Sequence, residues 1–149
     1  MDFRQPNLFD RTINRTFGFL LKIGLGLPHN YLLEVRGRKT GRVHSTPVNL
    51  IEFKHRKYLV APRGYTQWVR NAEASGEATL IRGASRERVK LHATPDEMKA
   101  EILKAYLDRF KLTVQRYFPI SAGSPPEKFR PLSANYPVFE ITRLDGAKP

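Results

Sequence analysis

The chain of 149 residues contains no cysteine. That absence excludes disulfide frameworks, zinc ribbons, iron–sulfur ligation and thiolate nucleophiles, and it fits a reducing, cytoplasmic setting. Acidic residues are scarce as well: 14 Asp and Glu stand against 26 Lys and Arg, for a formal net charge of +12. Such an excess points to an anionic partner. Nucleic acid, an acidic membrane surface, and a small ligand bearing phosphates or carboxylates all meet that requirement. No long apolar run is present. The most apolar stretch, residues 17–27, is broken by Lys22 and is too short to span a bilayer. Asp2, Arg4, Asp10, Arg11 and Arg15 leave no secretory-signal layout ahead of it. With 10 Gly and 11 Pro the chain is neither collagenous nor of low complexity, and 40% hydrophobic content supplies a core for one domain over 1–149.

Several enzyme signatures are missing too. His29, His44, His55 and His92 are scattered, with no H-E-x-x-H pair, so no metal site is expected. There is no G-x-S-x-G elbow. Gly24-Leu25-Gly26 lacks the third glycine of a dinucleotide fingerprint and follows a helix instead of a strand. Lys39-Thr40 echoes the end of a P-loop, but Arg38 occupies the place of its final glycine.

Periodicity supplies the elements. Leu8, Ile13, Phe17, Leu20 and Leu21 recur at helical spacing and predict an N-terminal amphipathic helix within 1–27. Alternating apolar positions then predict strands at 32–36, 43–53, 57–62, 77–82, 87–93 and within 136–144, with a short helix at 66–75 carrying Trp68. Thr94-Pro95-Asp96-Glu97 has the form of a capping box, with Thr94 as N-cap of a helix over 94–117. The Pro-rich loop at 119–134 is long enough to serve as a lid. Hairpins without regular strand–helix–strand alternation favour a mainly β, α+β fold: an antiparallel barrel or sandwich of about six strands, a small barrel first.

The densest chemical signal is Arg36-Gly37-Arg38-Lys39-Thr40-Gly41-Arg42, where two glycines bracket a tight turn holding four cations and no acid. Backbone N–H groups, side-chain cations and the Thr40 hydroxyl can converge there on phosphate or carboxylate oxygens. A solvated hairpin tip explains the same pattern. Residues 61–71 lead from a strand end into the short helix. Arg63 and the unpaired N–H groups of the first helical turn could face an anionic ring or phosphate, while Trp68 also suits a core and Asn71 an inter-loop hydrogen bond. Arg86, Arg88, Lys90 and His92 alternate with Val89, Leu91 and Ala93, which makes a solvated cationic face or the flank of an electropositive groove. Tyr106, Tyr117 and Tyr136 are candidates for a substrate wall or for aromatic core.

Taken together, the 37–42 turn, Thr46-Pro47-Val48, the strand ending Leu59-Val60-Ala61, and Trp68 with Asn71 resemble the deazaflavin-dependent nitroreductase and quinone reductase family over residues 32–94. The resemblance implies a split β-barrel that binds coenzyme F-420, a deazaflavin whose tail carries a phosphodiester and several glutamates. By that likeness Arg38, Lys39, Thr40, Gly41 and Arg42 would grip the anionic tail. Pro47, Val48, Val60, Ala61, Pro62, Arg63, Gln67, Trp68 and Asn71 would line the ring and linker, and Tyr65 would donate a proton. Pro62 and Arg63 stand where the family pattern has serine and lysine, and the family's C-terminal tyrosine region is matched by Tyr117 and Phe118 only loosely. The implied activity is hydride transfer from reduced F-420 to an electron-poor small molecule such as a quinone, enone or nitro compound. Two other readings compete: a flavin mononucleotide (FMN) enzyme of the same barrel, and a basic nucleic-acid-binding module. The N-terminal helix is in addition a candidate for peripheral contact with an anionic membrane.

Overall fold

A computed structural model describes residues 30–144. The expected N-terminal helix, and with it the expected membrane contact, lies outside the described residues. Six antiparallel strands form a closed barrel: β1 (Asn30–Arg36), β2 (Val43–Phe53), β3 (Arg56–Val60), β4 (Glu77–Arg82), β5 (Ser85–Ala93) and β6 (Val138–Arg143). Their order around the barrel is β1-β2-β3-β6-β5-β4, and β4 closes onto β1 through Leu33↔Leu80 and its neighbours. Closure protects most of the strand edges from pairing with another chain.

Alternation along each strand sends one set of side chains inward. Leu33, Val35, Val48, Leu50, Leu59, Leu80, Val89, Leu91 and Phe139 meet in the interior. Each such side chain contributes on the order of 1.5–3 kcal/mol by leaving water. The helix between β3 and β4, α1 (Gln67–Ser75), plugs the interior with Val69 and Ala72, both fully buried. Gly76 stops it in the left-handed region at φ 74°, returning its N–H to Ala72 O at 2.7 Å.

A second core lies outside the barrel. Ile51, Tyr58, Val60 and Val138 point outward and are covered by α2 (Ala100–Val114), whose inner face carries Ile102, Leu103, Tyr106 and Leu107. Burial pushes the Tyr106 phenol up from its ordinary value, against the opposing effect of a hydrogen bond with the Asn49 side chain.

Three expectations need correction. Residue 94 caps no helix: Thr94 N–H bonds Val138 O at 2.9 Å, which prolongs the β5–β6 pairing. Pro95 is then extended, a single 3-10 turn occupies Asp96–Met98, and α2 begins only at Ala100. Strand pairing has overridden the local capping preference, and the Thr94 hydroxyl is buried without a partner. The third strand ends at Val60 instead of 62, because the chain turns through Gly64 at φ 86°. The 119–134 segment is packed and is no lid. It contains 3-10 turns at Pro126–Lys128 and Arg130–Asn135, and Phe129 between them is wholly buried under α2. Lys99, only 3% exposed, fastens the segment by bonding Ser133 O at 3.1 Å and Asp96 at 2.8 Å. No helix among the described residues is long and apolar enough to cross a membrane.

Candidate functional site

β2 pairs with β1 along residues 43–49 and with β3 only along 50–53. After Val60 the chain turns away into α1, so residues 43–49 have no strand partner on their other side among the described residues. This parting of β2 from the β3–α1 connection brings together the β1–β2 turn and the start of α1.

The turn is closed by its own backbone: Gly37 N–H bonds Arg42 O at 2.6 Å, Gly41 N–H bonds Gly37 O at 3.0 Å, and Arg36 donates to Gly41 O at 2.7 Å. Glycine is favoured at two places for different reasons. Gly41 sits at φ 78°, and a Cβ on Gly37 would lie 3.0 Å from His44 Nε2 and 3.1 Å from Arg42 O. The Thr40 hydroxyl accepts from Arg42 N–H at 3.2 Å, which leaves its own hydrogen to donate outward.

Arg38 is held from α1. Its backbone N–H and its guanidinium both donate to Asn71 Oδ1, at 3.1 and 2.7 Å, and the guanidinium also donates to Gln67 Oε1 at 3.1 Å. Lys39, Arg42 and Arg63 are exposed, and no acid among the described residues pairs with any of them. The Thr66 hydroxyl, at the N-cap of α1, makes no capping bond and is buried without a partner. Cations without acids and an uncapped helix start are donors lacking an acceptor. That set fits a phosphate- and carboxylate-bearing cofactor tail.

Other expected residues have other surroundings. Trp68 is half-buried, its ring 5.9 Å from Phe139 and tilted by 51°. The Val48 and Ala61 side chains belong to the barrel interior, and Val60 points under α2, so these three offer a ligand mainly backbone. Pro47 and Tyr65 are exposed and Pro62 is half-buried. Tyr106 and Tyr136 belong to the outer core, with Tyr136 stacked on Phe118 at 4.5 Å, so neither forms a substrate wall. Arg86 and Arg88 are paired to Glu34 and Glu77, both at 2.9 Å. The two arginines of that face are thus neutralised. The unpartnered Thr66 hydroxyl has one signal in the sequence, the position of a threonine directly before the short helix.

The sequence profile of a family described as F420H(2)-dependent quinone reductase matches residues 4–116. No curated protein matches by sequence. Among solved structures, the protein Atu2129 from Agrobacterium tumefaciens, of unknown function, has a TM-score of 0.56 at 13% identity over 94% of this chain. This chain spans only 59% of that protein. An F420-H2 dependent reductase (FDR-A) has a TM-score of 0.53 at 16% identity, covering 77% of this chain and 95% of its own. HutZ, a heme storage protein from Vibrio cholerae, also gives 0.53, at 10% identity, with 91% and 90% covered. At such identities the structural likeness shows the fold, a split barrel. The profile match over most of the length carries the assignment beyond fold: the chain belongs to the F420H(2)-dependent quinone reductase family.

Proposed function

We propose that this protein binds reduced coenzyme F-420 between the β1–β2 turn and the start of α1 and reduces a small electron-poor acceptor, with quinones as the leading class. The observation that carries this reading is the acid-free turn, in which Arg38 is positioned by neutral amides and Lys39 and Arg42 have no acidic partner among the described residues. The family match supports the cofactor and acceptor class. F-420, when bound, supplies a hydride from its deazaflavin ring.

The chain's share is positioning and charge. Arg38, Lys39, Arg42 and the Thr40 hydroxyl neutralise tail oxygens, and the N–H groups opening α1 add donors on the same side. Trp68, half-buried against Phe139, would offer the remainder of its ring as an apolar surface for a planar ligand. Tyr65, 46% exposed on that connection, would hand a proton to the reduced acceptor. The competing nucleic-acid reading draws on the net charge of +12, and part of that charge, at Arg86 and Arg88, is already matched by carboxylates.

The test is oxidation of reduced F-420 by panels of quinones, enones and nitroaromatics. Turnover with quinones that fails to respond to Lys39→Ala would contradict the site. No turnover with any panel member, despite tight cofactor binding, would contradict the acceptor class.

A further inference from the structure

We propose that Gln67 and Asn71 are positioning residues: a pair of neutral amides that fixes the Arg38 guanidinium at the turn while leaving its full charge for a bound anion. This rests on the reading of the turn as the seat of an anionic tail. Gln67 and Asn71 stand four residues apart on α1, so their side chains share one face. Both amide oxygens converge on the same guanidinium nitrogen of Arg38, at 3.1 and 2.7 Å. Asn71, only 6% exposed, also accepts the Arg38 backbone N–H, so one buried side chain sets both the path of the turn and the direction of the arginine.

The choice of amide over carboxylate is the informative part. A carboxylate would hold a guanidinium more tightly, and elsewhere this chain uses that solution: Arg86, Arg88 and Arg143 are bound to Glu34, Glu77 and Glu87. A carboxylate at 67 or 71 would cancel the charge that a phosphate or glutamate needs. Amide oxygens give direction without neutralisation. Asn71 thereby acts on the ligand through Arg38 and needs no contact with the ring.

The experiment compares the full chain with Asn71→Asp and Gln67→Glu, each alone and combined with Arg38→Gln. Two probes are titrated against Trp68 fluorescence: F-420 and the same deazaflavin lacking phosphate and glutamates. Each acidic substitution should weaken F-420 about tenfold, by competing for a charge-assisted contact. Binding of the tail-less probe should stay within about twofold, and in the Arg38→Gln background the acidic substitutions should cost almost nothing more. Gln67 is exposed, so its variant keeps the test open if the buried Asn71→Asp substitution impairs folding. Equal losses for both probes, losses that persist without Arg38, or unchanged F-420 affinity would each overturn the inference. A wild-type chain that binds the two probes equally would instead overturn the tail-binding reading, and this inference with it.

Discussion

The wall of β4, β5 and β6 and the turn between β1 and β2 are both rich in arginine, and they treat it in opposite ways. On the wall Arg86, Arg88 and Arg143 meet Glu34, Glu77 and Glu87 at 2.7–2.9 Å. In the turn Arg38 meets two amides, and Lys39 and Arg42 meet no acid among the described residues. A net charge of +12 therefore says little about where an anion binds. The arrangement of acids says more: cations matched by carboxylates are a solvated surface, whereas cations left unmatched beside a helix start are what the proposed site is built on.

That contrast can be broken by moving charges. The largest effect is expected from Lys39→Ala with Arg42→Ala, which should lower F-420 affinity by about 1.5–3 kcal/mol for each charged hydrogen bond to the tail that is removed. Melting temperature should barely change, because neither side chain supports the core; isothermal titration and thermal unfolding check both parts. Arg86→Ala or Arg88→Ala should behave in reverse. Exposed ion pairs contribute about 0–1 kcal/mol to stability, and F-420 affinity should stay within about twofold of wild type. Should these wall substitutions weaken the cofactor as much as the turn substitutions, the distinction between matched and unmatched cations fails.

The smallest effect concerns Thr94. A true N-cap would lose about 1 kcal/mol on replacement. Here the hydroxyl is buried and unpartnered, so Thr94→Val should leave chemical-denaturation stability unchanged or slightly raised. A loss near 1 kcal/mol would restore the capping box that the sequence suggests.

Why the sequence was readable in some places and not in others follows from these residues. The barrel strands were legible because the period-two apolar pattern, Leu33 and Val35 or Val89 and Leu91, reports burial on one face directly. The turn was legible as chemistry because glycine spacing and charge are local properties. Thr94 misled because a local cap competes with a ladder bond to Val138, and that partner is 44 residues distant. The Pro-rich segment misled for a similar reason: Phe129 is buried against α2 and Lys99 donates to Ser133 O, contacts with no signature within the loop itself. The amides facing Arg38 were visible as residue types, but their bonds join positions 29 and 33 residues apart, which only folding brings together.

The most direct measurement of the central claim is the salt dependence of cofactor affinity, read by titrating Trp68 fluorescence with F-420 and with its tail-less deazaflavin at low and high ionic strength. If the unmatched turn cations hold the tail, F-420 binds more tightly than the tail-less form at low salt, and the difference shrinks as salt rises. Equal affinities for the two molecules, unmoved by salt, would contradict the account.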